Sequence, residues 1–129
     1  MRTDFPNKLT RCYGNLKKYF NTLNELNSSK PIPLKSNLDD KIPREPGLYR
    51  IFEKTQHSIK EIYIGSSNNI RRRINTDLLG KGRHTLKNKV CLKFLKNHCL
   101  IQFLPIKDER ELKLLEYFTI AVLRAEYND

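Results

Sequence analysis

No apolar run in this sequence approaches the roughly 20 residues of a membrane span, so a bilayer-crossing helix is not expected. The opening residues, Met1-Arg2-Thr3-Asp4-Phe5-Pro6, lack the apolar core of a secretory signal, and the expected compartment is the cytoplasm. Cysteine is sparse. Cys12, Cys91 and Cys99 are an odd number without a Cys-x-x-Cys spacing, which argues for free buried thiols rather than a disulfide framework. A zinc cluster of Cys91, His98 and Cys99 is set aside, because no second ligand pair has a recognised spacing. No internal repeat is visible. Acidic side chains are outnumbered, 14 against 25 Lys and Arg, which leaves a net charge of +11 on 129 residues. That length suits one domain with one modest core.

The distribution of charge says more than its sum. Residues 1–44 carry nine Lys/Arg against four Asp/Glu, and residues 45–67 balance at three each. Residues 68–97 carry nine Lys/Arg against Asp77 alone, and residues 98–129 turn slightly acidic, four against six. A concentrated basic face attracts phosphates by counterion release, without reading sequence. The competing explanation is a merely cationic, solvated surface.

Taken in order, the chain reads first as a helix over about 14–26, with Leu16, Phe20, Leu23 and Leu26 near three-to-four-residue spacing. Residues 28–46 are rich in Ser, Pro and Lys and read as a connector, since proline fixes φ and lacks a donor. Gly47 to about Glu53 and Glu61 to Gly65 read as two strands joined by the polar turn Lys54 to Lys60, an antiparallel hairpin. Ser66-Ser67-Asn68-Asn69 supplies N-cap candidates for a helix over about 69–79, which Gly80-Lys81-Gly82 stops. A second basic helix over about 85–97 buries Leu86, Val90 and Phe94. Leu100 to Leu104 is a third strand, ended by Pro105, and Asp108-Glu109 opens a last helix running to about Leu123. The expected fold is α/β (α+β): a small three-stranded antiparallel sheet flanked by helices, in the order β-β-α-α-β-α. Residues 1–43 form a helical extension and connector, and residues 44–129 the main domain.

Some residues are candidates for chemistry. Glu116 is the only charge in Leu114 to Leu123, a segment apolar almost all round, as in a buried helix. A carboxylate there needs compensation by a metal, by Arg or Lys, or by exposure. Arg73, eight residues past Gly65, either neutralises charge on a phosphate or forms a surface pair with Asp77. Tyr49 and Tyr63 are core strand residues, or they act on a water if a cation faces their hydroxyls. His84 is either a plain loop residue or a phosphate contact or proton shuttle, and Asn128 lies where a terminus is commonly loose.

Gly47-Leu48-Tyr49, Tyr63-Ile64-Gly65, Arg73, His84, Glu116 within Leu115-Glu116-Tyr117-Phe118, and Asn128 in Tyr127-Asn128-Asp129 together resemble the GIY-YIG nuclease superfamily over about residues 44–129. The resemblance implies hydrolysis of one phosphodiester bond with a single divalent metal, Mg²⁺ or Mn²⁺. Glu116 would be the metal ligand. Tyr49 and Tyr63 would orient or activate the water, and Arg73 would hold the phosphate. Asn128 would brace the site, and His84 would be an auxiliary contact. The sequence departs from the pattern in two places. Asp77 stands where many relatives have a histidine, and Ser66-Ser67 follows Tyr63-Ile64-Gly65 where some repair-type relatives carry lysine.

The leading expectation is a stand-alone DNA endonuclease, restriction-like or mobile-element-associated, since no appended domain of repair type is evident. RNA as substrate is left open. Arg71, Arg72, Lys81, Arg83, Lys87, Lys89 and Lys93 are the expected backbone contacts. A homodimer would let a strand-nicking enzyme cut both strands. The alternatives are a nucleic-acid-binding module that has lost catalysis, and a structure-specific nicking nuclease of the repair type.

Overall fold

The structure, a computed structural model, describes residues 5–34, 41–74, 99–125 and 128, with residues 5–13 described by backbone path alone. The elements are α1 (Phe5–Ser28), β1 (Ile32–Pro33), β2 (Gly47–Lys54), β3 (Ile59–Ser67), α2 (Ile70–Arg72), β4 (Cys99–Pro105) and α3 (Glu109–Leu123). The expected antiparallel α/β architecture is present, but the sheet has four strands, not three, in the order β1-β4-β2-β3. The added strand comes from the proline-rich stretch read as a connector. Ile32 pairs with Ile101 and Pro33 with Leu100, and the Leu34 N–H donates to the Cys99 carbonyl at 2.9 Å. Proline cannot donate to a ladder, and a two-residue edge strand is where that loss is tolerated.

β2 runs through the middle, antiparallel to β3 on one side and β4 on the other. Its side chains alternate between two apolar layers. Tyr49 and Ile51 pack with Ile62, Ile70, Ile74 and Ile101. Leu48 packs on the opposite face with Ile64, Leu26 of α1, Leu112 of α3 and Ala125. A bulge opposite Ile51/Phe52 shifts the β3 register, so that Ile51 pairs with Tyr63 and Phe52 with Glu61. Ile62 and Tyr63, neighbours in sequence, therefore both meet the layer that holds Tyr49.

α1 is longer than the sequence spacing implied. Leu23 and Leu26 join the core, while Leu16 and Phe20 remain exposed. A 24-residue helix is about 36 Å long, longer than any strand of this sheet. α2 is a short turn capped by the Asn69 side chain, which accepts from Arg72 N–H at 3.1 Å. The rest of the helix expected over 69–79, and the second basic helix over 85–97, fall outside the described residues. α3 is not buried all round, as its composition implied. Leu112, Leu115 and Thr119 face the sheet, and Leu114, Tyr117 and Val122 are exposed. α1 flanks it through tilted and edge-on ring contacts of Tyr19 and Phe20 with Phe118. Among the described residues no helix is long and apolar enough to cross a membrane. Cys99 is a buried free thiol, pushed up to about 11 by burial and then by Glu53.

A buried polar network fastens α1 to the sheet. Arg50, 6% exposed, pairs with Glu61 on β3 and donates to Asn27 Oδ1 at 2.8 Å and Gln102 Oε1 at 2.7 Å. The Gln102 amide donates in turn to the carbonyls of Asn27 and Ser29 at 2.8 and 2.9 Å. The last carbonyls of a helix have no partner within it, and here a strand side chain serves that of Asn27 and the Ser29 carbonyl just past the helix end. Arg50 also lies over the Phe52 ring at 4.3 Å. Removing one partner of a buried pair leaves a charge uncompensated, so Glu61→Ala should cost about 3 kcal/mol in urea unfolding. A loss under about 1 kcal/mol would put the pair in the class of surface bridges.

Candidate active site

The site lies where β2 and β3 run side by side, at Tyr49, Gly65 and Ser66. Tyr49 pairs with Gly65 across the strands. A Cβ on Gly65 would collide with the Tyr49 hydroxyl and ring, so only glycine lets the phenol lie across its neighbour. Gly47 is held in the same way, because a Cβ there would meet Ile70 Cδ1 and the Leu104 carbonyl. The two glycines of the motif are therefore spaces filled by other residues. Tyr63 lies nearby, its ring centroid 6.1 Å from that of Tyr49 and tilted by 36°.

Arg73 reaches this pair from the far end of α2. The turn is pinned by the segment ahead of β2: Ile70 N–H donates to the Glu45 carbonyl at 2.9 Å and Arg71 N–H to the Pro43 carbonyl at 3.2 Å. So placed, Arg73 Nε donates to the Tyr49 hydroxyl at 3.2 Å, and its guanidinium also bonds Tyr63. Burial pulls the Arg73 pKa down, but the two phenols outweigh it and the net shift is upward, so it stays a cation. Burial dominates at Tyr49, which is fully enclosed. Its phenol is pushed far above the ordinary value, with Tyr63 adding to the shift and Arg73 opposing it. Burial thus favours the protonated form of the Tyr49 hydroxyl, which can orient a partner through its oxygen.

Glu116 comes from α3, on the opposite side of the sheet from the Tyr49 layer. Its side chain is 16% exposed and lies close enough to raise the Tyr49 pKa. Ser66 Oγ donates to Glu116 Oε1 at 2.9 Å, and Lys113 Nζ is 3.5 Å from the same oxygen and from Ser66 Oγ. Of the compensations open to this carboxylate, the structure shows a lysine and a hydroxyl. Asn128 pairs with the backbone of Ile64 as a strand would, Oδ1 accepting from its N–H at 2.7 Å and Nδ2 donating to its carbonyl at 2.8 Å. It reaches there after Arg124 ends α3 in the left-handed conformation, φ 49°.

Tyr49, Tyr63, Arg73 and Glu116 converge, and Asn128 holds the strand that carries Tyr63. His84, Asp77, Lys81, Arg83, Lys87, Lys89 and Lys93 lie outside the described residues, as do Cys91 and His98. Arg71 and Arg72 lie on α2, where Arg71 Nε donates to the Ile42 carbonyl at 2.6 Å and Arg72 Nη2 to Asn68 Oδ1 at 3.0 Å. Lys113 was not singled out from the sequence. Its one available signal was the i,i+3 spacing to Glu116, masked by the mixed charge of the first turns of α3.

Among the described residues no three His, Cys, Asp or Glu gather. These described residues do not form a multi-ligand zinc cage. A hard divalent cation fits a single shielded carboxylate, since such ions keep several waters and take substrate phosphate oxygens, and at Glu116 it would take the place of the Lys113 ammonium.

A family model described as the GIY-YIG catalytic domain matches residues 45–128. The chain is also similar to crystal structures of the GIY-YIG N-terminal endonuclease domain of UvrC from Thermotoga maritima. One, a tyrosine-to-phenylalanine mutant bound to its catalytic divalent cation, shares 24% identity at a TM-score of 0.49, covering 69% of this chain and 88% of that one. The magnesium-bound form shares 22% at 0.46, covering 69% and 89%. No curated protein matches the chain.

Because the Tyr49 ring fills the space above Gly65, Gly65→Ala should destabilise the fold by about 1–3 kcal/mol through overpacking, measured by denaturant unfolding. An unchanged midpoint would mean that the ring does not rest on this glycine.

Proposed function

The chain belongs to the GIY-YIG family, and we propose that it is a divalent-metal-dependent endonuclease hydrolysing phosphodiester bonds in DNA. One observation supports this above the rest. A cationic Arg73 touching two tyrosine hydroxyls and a shielded Glu116 carboxylate meet at one end of the β2–β3 pair, although their positions are scattered from 49 to 116. A binding module has no need of a half-buried carboxylate in that company.

The roles follow from the chemistry of each group. Glu116 would hold a divalent cation, Mg²⁺ or Mn²⁺, which would supply Lewis acidity and positive charge at the scissile phosphate. Arg73, permanently charged, holds a non-bridging oxygen and offsets the negative charge that grows in the transition state. Tyr49 stays protonated and orients through its hydroxyl. Tyr63, half-buried, faces the same guanidinium from the accessible side and orients the attacking water. Asn128 fixes the Ile64 backbone, and with it the position of Tyr63. Basic residues 68–97 track the phosphate backbone without reading bases.

Within this activity we assign a restriction-like or mobile-element role in the cytoplasm. One such site cuts one strand at a time, so a double-strand break takes two copies or two binding events. Cleavage of an undamaged duplex supports this role; action confined to damaged or branched DNA supports repair-type nicking. RNA substrates belong in the same assay.

Wild type should nick or cut supercoiled plasmid with Mg²⁺ or Mn²⁺. Glu116→Ala should abolish cleavage while keeping DNA binding, and Arg73→Ala should slow it about 10²–10³-fold, both read on agarose gels with matched binding assays. A wild type inert with either metal, yet binding DNA with a steep salt dependence indifferent to magnesium, would make the chain a binding module.

A further inference from the structure

The turn after Tyr63-Ile64-Gly65 is Ser66-Ser67-Asn68-Asn69, with no cation of its own. Among the described residues, a positive charge at this edge of the site comes from another element. Lys113, one turn ahead of Glu116 on α3, places its ammonium 3.5 Å from both Ser66 Oγ and Glu116 Oε1. The two side chains differ in burial: 56% of Lys113 is exposed and 16% of Glu116. The carboxylate is held in place, whereas the lysine is a flexible four-carbon stem with its charge at the solvent edge.

Resting on the nuclease reading above, we propose that Lys113 is a phosphate-contacting residue that exchanges partners, pairing with Glu116 and turning to a DNA phosphate when Glu116 holds a divalent metal. Lys113 and a divalent cation cannot share one carboxylate oxygen without repulsion, so occupation of Glu116 by metal releases the ammonium. The released ammonium lies beside Ser66, the residue after the Gly65 that the Tyr49 ring covers, and a phosphodiester bound at this site gives it a new anionic partner. Metal and DNA then bind with positive coupling, and the coupling is reciprocal. Ser66 keeps the carboxylate oriented during the exchange.

The test uses the whole chain and two readouts other than turnover. Calcium, which takes the same oxygen ligands, is titrated into protein alone by calorimetry. The affinity for a labelled 20-base-pair duplex is then measured by fluorescence anisotropy with and without calcium at constant ionic strength, the duplex being checked intact on a gel. In the wild type calcium should tighten DNA binding about fivefold or more, the lower end of ordinary coupling. Lys113→Met should bind calcium alone more tightly than wild type and lose the calcium-dependent gain in DNA affinity, and Lys113→Arg should retain the gain. The side chain is exposed, so the variants are expected to fold, and their melting temperatures verify it. If Lys113→Met keeps the full coupling, or binds calcium no better than wild type, the exchange is wrong while the nuclease reading stands. If the wild type neither binds calcium nor cuts plasmid, both fall.

Discussion

The candidate site depends on one steric contact. The Tyr49 ring lies over Gly65 of the adjacent strand, in space that any β-carbon would occupy. This closeness places the phenol where Arg73 Nε bonds it and where the Glu116 charge acts on it. It also encloses Tyr49 completely, and burial is what keeps its proton on. The same packing that positions the hydroxyl disfavours its ionised form. Tyr63, on the more accessible strand, faces the same guanidinium from a wetter position.

Other parts of the fold serve to hold that contact in register. β2 is paired on both sides, so a slip of one residue would move Tyr49 to the α1/α3 face and Arg50 to the other. The bulge in β3 sends Ile62 and Tyr63 to the same layer, which strict alternation would forbid. Asn128 gives the Ile64 backbone the partner that an edge strand otherwise lacks. On the far face, Arg50, Glu61 and Gln102 join α1 to the sheet by charge and by capping. Leu26 joins the same layer as Leu48, so α1 shares a core with the strands that carry the motif.

The electrostatics of the site are divided between two cations of different character. Arg73 is partly buried, bonded to two phenols and held by a turn whose amides are taken by Pro43 and Glu45. Lys113 is exposed and rests on Glu116. A fixed guanidinium suits a group that must meet developing charge without reorganising. A loosely held ammonium suits one that changes partners.

Much of this was legible in the sequence because it rests on local chemistry. The hairpin followed from strand-forming residues around a polar turn, and the last helix from Asp108 at its start, whose carboxylate accepts from Glu111 N–H. The ordered motif from Gly47 to Asn128 identified the family, since each of its residues has a characteristic spacing along the chain. What depended on distant partners was not legible. The fourth strand forms because β4 offers Ile32 and Pro33 an edge, which no property of a proline-rich stretch announces. α3 was read as buried all round because composition counts apolar residues and cannot tell which helix face another element covers. Lys113 went unremarked because its i,i+3 spacing to Glu116 was hidden in the mixed charge of α3 and its contact with Ser66 is made across 47 residues of sequence. The sequence by itself determined the local conformations and the set of reactive groups; the tertiary structure decided which groups meet, because their contacts depend on strand register and helix docking, set by burial and steric fit between segments far apart in the chain.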